Sequence, residues 1–196
     1  MAKQREDFNE PPVKVILASS SPRRRELLSE AGLDFEVVAS PAEEIHDASI
    51  PLAELCEKNA ELKAAAVAVD YREAIVIGAD TLVWIDGDPL GKPKDMEEAH
   101  AMLRRLSGRI HTVCTGVCVV FPGGEVRRFH DLTQVHFRVL DDEAIAAYFR
   151  EANPLDKAGA YGIQESGDLI VRGIEGNFDN VMGLPVAKVL EALGIR

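Results

Sequence analysis

Cysteine is scarce in this chain: Cys56, Cys114 and Cys118 are the only ones in 196 residues. Three thiols with no paired spacing cannot build the disulfide framework of a small secreted scaffold, so the expected setting is a reducing cytoplasm. Cys114 and Cys118 stand four apart in a strand-like segment and so share a face; with no second clustered pair they read as small buried hydrophobes rather than metal ligands. Long apolar runs are missing too. None approaches the roughly 18 residues of a membrane helix, which argues against a membrane protein. Positive charge is also in deficit, with 22 Lys and Arg against 33 Asp and Glu, a formal net charge of −11. A general nucleic-acid binder needs a basic surface to displace counterions from phosphates, so that class is disfavoured, and an anionic substrate would need a local basic pocket. Residues 1–12 mix both charge signs around no apolar core and read as a tail, neither signal peptide nor anchor.

What remains is ordinary globular composition, 46% hydrophobic and 28% charged. The length suits one domain over residues 13–196, or one domain with a small second lobe around a cleft. Val13–Leu17 reads as a strand, Ser19-Ser20-Ser21-Pro22 as a break, and the following segment as a helix with Ser21 at its N-cap, Pro22 in its first turn and Gly32 at its end. Phe35–Ala39 reads as a short strand before an acidic loop holding Glu43, Glu44, His46 and Asp47. Leu52, Leu55, Asn59, Leu62, Ala66 and Val69 give a helical stripe over about 51–69. Ala74–Ile85 is nearly continuously apolar, as in a strand covered on both faces, and Asp86-Gly87 marks a turn. Asp95 and Glu98 suit a capping box for a helix ending near Leu106. His111–Phe121 and Glu125–Leu140 read as a hairpin around Pro122-Gly123-Gly124, followed by a helix over 141–151, a short strand near 168–174 and a last helix over Pro185–Leu193. The order implies an α/β fold with a twisted, partly antiparallel sheet. No internal repeat or low-complexity segment is visible.

Four constellations bear on chemistry. Ser19-Ser20-Ser21-Pro22-Arg23-Arg24-Arg25 spans a strand end and a helix start, where free N–H groups, the helix dipole and forked guanidinium donors suit phosphate; plain capping with solvated arginines is the alternative. Asp80, beside Thr81, lies inside an apolar strand, where a carboxylate is costly unless paired, hydrogen-bonded or metal-bound. A satisfied core aspartate would look the same, although perturbed carboxylates concentrate at functional sites. Lys92, pinned in Gly91-Lys92-Pro93, and Lys63, on the long helix, are each either a point charge for a phosphate or an ordinary solvated lysine. In Asp156-Lys157-Ala158-Gly159-Ala160-Tyr161-Gly162-Ile163-Gln164, glycines permit close backbone approach, Tyr161 has a ring for stacking, and Gln164 has a donor and an acceptor for a base edge; a tight turn closed by Lys and Asp is the alternative.

Taken in order, Leu17-Ala18-Ser19-Ser20-Ser21-Pro22-Arg23-Arg24, Gly78-Ala79-Asp80-Thr81, Leu90-Gly91-Lys92-Pro93, Leu106-Ser107-Gly108-Arg109 and the Asp156–Gln164 block resemble the Maf family of nucleoside triphosphate pyrophosphatases over residues 13–194. The last block resembles the branch acting on dTTP and UTP; the sister branch prefers 7-methyl-GTP and differs there. The resemblance implies a fold related to inosine triphosphate pyrophosphatases, a twisted mixed sheet flanked by helices with the site in a central cleft. It implies Asp80 as general base, Arg23, Thr81 and Gln164 as selectors of the nucleotide, and Ser19, Arg24, Lys63 and Lys92 as phosphate ligands. It further implies a divalent cation such as Mg²⁺, Mn²⁺ or Co²⁺ near Glu44, and frequent homodimers. Arg25 receives no role. Removal of non-standard pyrimidine triphosphates and inhibition of septum formation are both physiological expectations. A 7-methyl-GTP pyrophosphatase and a non-catalytic nucleotide-binding regulator are the alternatives; a phosphate cradle without chemistry would have no use for Asp80.

Overall fold

A computed structural model describes residues 13–195; the expected tail at 1–12 lies outside them. Within these residues seven strands make one mixed sheet: β1 (Val15–Leu17), β2 (Glu36–Val37), β3 (Ile75–Ile85), β4 (Asp88–Leu90), β5 (Ile110–Val120), β6 (Val126–Phe137) and β7 (Val171–Glu175). The order is β2-β1-β3-β5-β6-β7, with β4 paired to β3. The β2-β1-β3 pairs are parallel, and β3 to β7 run antiparallel. The helices are α1 (Pro22–Glu30), α2 (Leu52–Ala68), α3 (Met96–Leu106), α4 (Asp142–Glu151), α5 (Phe178–Met182) and α6 (Val186–Leu193). This is the expected α/β mixed sheet flanked by helices.

Alternation along β3 sorts the core. On one face, Val76 and Leu82 meet α2 together with Cys114 and Cys118 of β5. The opposite face carries two apolar clusters: Ile77 and Ala79 pack with Leu27 and Leu28 of α1 and Val186 and Val189 of α6, whereas Val83 and Ile85 pack with Leu103 and Leu106 of α3 and Ile145 and Tyr148 of α4. Thr81 falls between them. The three cysteines are free and buried, as the sequence implied for Cys114 and Cys118.

The buried face of α2 differs from the expected stripe. Leu62 and Val69 are exposed, while Leu55, Cys56, Asn59, Ala60, Ala64 and Val67 point inward. The cause lies in the sheet. A Cβ at Gly78 would stand 2.3 Å from the carbonyl oxygen of Ala60, and one at Gly116 2.3 Å from the backbone carbon of Cys56. Two glycines set diagonally on one face of neighbouring strands, Gly78 opposite Cys118 and Gly116 opposite Asp80, thus let α2 lie directly on β3 and β5, and only small side chains fit at that contact.

Other elements sharpen the reading. Asp86 and Gly87 both have positive φ, 57° and 79°. They close a two-residue hairpin whose second arm, β4, was not expected; this is the geometry that Asp-Gly favours. Phe35–Ala39 contributes only Glu36–Val37, and β6 stops at Phe137 rather than Leu140. Asp95 caps α3, its side chain accepting from Glu98 N at 2.9 Å, but Glu98 returns a bond to Lys94 N instead of Asp95 N. Ser21 occupies the α1 N-cap position without a side-chain cap bond, and Pro22 stands in the first turn.

Candidate active site

The sheet is split on one edge of β3. β5 covers the other edge from Val76 to Trp84. On the open edge, β1 pairs as far as Ile77 and β4 begins only at Val83. Residues 78–82 therefore have no strand neighbour there, and a cleft of about 990 Å³ opens on the gap. Ser19, Arg23, Arg24, Glu44, Lys63, Asp80, Thr81, Lys92 and Gln164 all line it, so every site residue anticipated from sequence is brought to one place.

Asp80 is the centre of a buried polar cluster. Its Oδ1 receives Lys63 Nζ at 2.7 Å and its Oδ2 receives Asn59 Nδ2 at 3.1 Å. Lys63 also pairs with Glu44 Oε1 at 2.7 Å, so one ammonium sits between two carboxylates. At a site this enclosed, losing Lys63 would leave Asp80 uncompensated, a change that costs about 3–5 kcal/mol in buried pairs. Asn59, read from sequence as part of an apolar stripe, is a site residue that pattern alone missed. It accepts from Ile45 N at 2.7 Å and donates to Ile45 O at 3.1 Å, clipping the acidic loop to α2 beside Asp80. Its signal was a single amide among apolar helix positions, next to nothing that marked a partner.

Arg24 differs most from its expected role. It is buried, with Nε donating to Gly183 O at 2.8 Å, Nη1 to Ala79 O at 2.8 Å and to Ser19 Oγ at 3.2 Å, and Nη2 to Thr81 Oγ1 at 3.0 Å. Burial lowers its pKa, with Asp80 pulling the other way. Most of its fork is spent on the free edge of β3 and on the turn after α5, so it shapes the cleft wall rather than standing as an open phosphate ligand. Thr81 Oγ1 is likewise engaged, with Arg24, with Thr115 Oγ1 at 2.9 Å and with Gly183 O at 3.4 Å. Ser19 Oγ further accepts from Ser21 N at 3.2 Å, which holds the loop before α1. Lys92 is exposed on the rim, with no ion pair among the described residues.

The glycine-rich block behaves partly as the tight-turn alternative. Lys157 is buried and bonded to Asn153 O and Asp156 Oδ1. Tyr161 is not free to stack on a base: it is 6% exposed, its hydroxyl lies 2.7 Å from His111 Nε2, and its ring packs edge-on against His111 and Phe137. Apolar neighbours from β5 and β6 claim the ring before any ligand could. Burial pushes His111 down to about 3, with His136 adding to the shift. Gln164 remains exposed on the cleft wall. Arg25 points outside the cleft, and Ser107-Gly108-Arg109 does not reach it either: Ser107 bonds Leu140 in both directions and Arg109 pairs with Asp86.

No group of three or more His, Cys, Asp or Glu gathers as a ready metal cage among the described residues. Of the carboxylates lining the cleft, Glu44 and Asp80 converge on Lys63, whereas Asp88 pairs with Arg105, Asp156 with Arg23 and Lys157, and Glu98 accepts from Lys94 N. A family model for Maf-like proteins matches residues 14–195. The chain belongs to the Maf family. Curated relatives include the dTTP/UTP pyrophosphatases of Moorella thermoacetica, 50% identical over 93% of this chain and 94% of that one, and of Akkermansia muciniphila, 49% identical over 93% and 95%. A Bacillus velezensis protein of the same name is 48% identical over 92% and 95%. Among solved structures, the Staphylococcus aureus Ham1 protein superposes with a TM-score of 0.54 over 92% of this Maf chain and 97% of its own, at 16% identity, a likeness of fold.

Proposed function

We propose that this Maf chain hydrolyses dTTP and UTP, and modified pyrimidine triphosphates of the same shape, to the nucleoside monophosphate and pyrophosphate. The observation that carries the reading is the split in the β3 edge, which gathers a buried carboxylate and the cations Arg23, Lys63 and Lys92 on one cleft. Relatives about half identical over nearly the whole chain and named for that reaction support it.

In this reading Asp80 takes a proton from the water whose oxygen attacks the α-phosphorus. The bond from that phosphorus to the α–β bridging oxygen breaks, and pyrophosphate leaves with the electron pair. Lys63 and Asn59 hold the two oxygens of Asp80 in fixed positions, so the base is oriented before substrate arrives. Lys92 and the uncapped first turn of α1 offer positive charge to the polyphosphate, which suits a reaction that rests on positioning and electrostatics. Arg23, Thr81 and Gln164 set the choice of base. A divalent cation fits this donor set, since Mg²⁺ and Mn²⁺ take hard oxygens and are commonly held by one or two carboxylates completed by substrate phosphates. Glu44 would hold it, beside Asp80, and when bound it supplies charge neutralisation on phosphate oxygens.

The three free buried thiols and the charge of −11 support a cytoplasmic enzyme that binds neither nucleic acid nor anionic lipid. No helix among the described residues is long and apolar enough to cross a membrane. The family resemblance supports a homodimer. Asp80→Asn keeps the shape and removes the base; turnover of dTTP should fall by about two to four powers of ten. Turnover within a factor of two of the unaltered enzyme would overturn the role.

A further inference from the structure

The segment between α4 and β7 carries Gln164, and buried charge fixes it in place. Lys157 is 2% exposed. Its ammonium lies 2.6 Å from Asn153 O, 2.8 Å from Asp156 Oδ1 and 2.9 Å from Glu165 Oε2. The other carboxylate oxygen of Asp156 accepts from Arg23 Nη1 at 3.2 Å, and its backbone carbonyl from Arg23 Nη2 at 3.3 Å. Four charges thus alternate in one chain: Arg23, Asp156, Lys157, Glu165. The chain starts at Arg23 of α1, which lines the cleft, and ends on Glu165, the residue next to Gln164, which lines it too.

An ammonium so enclosed is costly to bury, and an apolar side chain of the same length would fill the space at less cost. Gly162 makes room for it: a Cβ there would stand 2.7 Å from Lys157 Cε. Burial pushes the Asp156 carboxyl up, but Lys157 and Arg23 outweigh that and hold it below the usual range, so Asp156 carries its charge at neutral pH. The remaining N–H donors of Arg23 have no protein partner among the described residues, and Gln164 is exposed on the same cleft.

We propose that Asp156, Lys157 and Glu165 form an electrostatic strut that positions Arg23 and Gln164 relative to each other, so that recognition of the pyrimidine base depends on the strut as much as on the two side chains that face it. The inference rests on the dTTP/UTP reading above. The three are positioning residues: they act on the base through Arg23 and Gln164. Without the strut Arg23 keeps its charge but loses its direction, and a guanidinium free to swing contacts any base about equally well.

The test compares Asp156→Asn, Glu165→Gln and Lys157→Met with the unaltered protein, measuring kcat and KM for dTTP, UTP, CTP and dATP by pyrophosphate release. Asp156→Asn is expected to reduce the preference for dTTP over CTP by about tenfold, mainly through KM, with kcat for dTTP changed less. In a Gln164→Ala background Asp156→Asn should lower the dTTP to CTP preference by less than in the unaltered protein, because only the contribution of Arg23 is left to lose. Lys157→Met sits in the core and is read only if it folds; Asp156→Asn and Glu165→Gln, at half-exposed carboxylates, keep the test open if it does not. Equal losses on all four nucleotides, or an unchanged dTTP to CTP ratio in Asp156→Asn, would overturn the strut while leaving the reaction standing. An unaltered protein that hydrolyses none of the four would overturn the reaction and the strut with it.

Discussion

Gly78→Ala places a single methyl group where α2 meets the sheet. The new carbon would stand 2.3 Å from Ala60 O, 2.7 Å from Ala64 N and 2.9 Å from Ala64 Cβ, whereas ordinary contact begins near 3.4 Å. Two of these neighbours are backbone of a long helix, so the strain cannot be relieved by turning a side chain. The helix must move off β3 by roughly 1 Å, in line with the shortfall. Overpacking of this kind costs about 1–3 kcal/mol, and more where backbone is hit. The larger effect should be on activity. Lys63 and Asn59 ride on α2 and hold Asp80 at 2.7 Å and 3.1 Å, so the same displacement stretches both contacts. A misplacement of about 1 Å at a reacting group can cost on the order of 10²-fold in rate. Pyrophosphate release from dTTP, measured beside urea denaturation of the same preparations, separates the two effects. A Gly78→Ala protein with kcat/KM within a factor of three of the unaltered one would refute the view that this glycine sets the geometry of the site.

Asn59→Leu removes the clip between the acidic loop and Asp80, leaving Ile45 N, Ile45 O and Asp80 Oδ2 short of a partner; urea denaturation should show a loss of roughly 2–4 kcal/mol, and no loss would refute the clip. Arg24→Lys keeps charge but cannot span Gly183 O, Ala79 O, Ser19 Oγ and Thr81 Oγ1 at once, so it should destabilise by roughly 2–4 kcal/mol as well as lower kcat/KM, whereas a lower kcat/KM at unchanged stability would return Arg24 to the role of an open phosphate ligand. Burial holds His111 neutral down to about pH 3, against about 6.5 in the unfolded chain. The unfolded state then binds the extra proton, so this contribution is complete above pH 6.5 and is lost as pH falls towards 3, at up to about 1.4 kcal/mol per pH unit. His111→Phe should flatten that limb, losing less stability between pH 7 and pH 4.5 than the unaltered protein; equal losses would show that carboxylates alone govern the acid side.

The site was legible in sequence to the extent that its residues are locally marked. A carboxylate in an apolar strand, two of the three arginines at a helix start and a lysine pinned beside proline each announce a cost or a constraint, and each lines the cleft. Asn59 was not legible, because its partner Ile45 lies in the loop before α2 and its partner Asp80 lies on β3. Arg24 and Arg23 look alike in sequence, yet one is consumed by the β3 edge and the other reaches Asp156. Tyr161 stayed open between two readings for a related reason: an aromatic in a glycine-rich block suits a ligand as well as a turn, and only the folded chain brings His111 and Phe137 against it. The face of α2 was displaced because Gly78 and Gly116 are far apart in sequence and become one surface only when β3 pairs with β5. In β4, the Asp86-Gly87 turn was visible but a three-residue arm containing Pro89 carries too little pattern to be read as strand.

The reaction itself is tested most directly by the products formed from dTTP with Mg²⁺ or Mn²⁺ present, resolving monophosphate and pyrophosphate from diphosphate and phosphate. Monophosphate and pyrophosphate in equal amounts, formed from dTTP and UTP, lost on chelation and lost in Asp80→Asn, is the expected result. Diphosphate and phosphate as the products, or no turnover by folded protein with metal present, would contradict it.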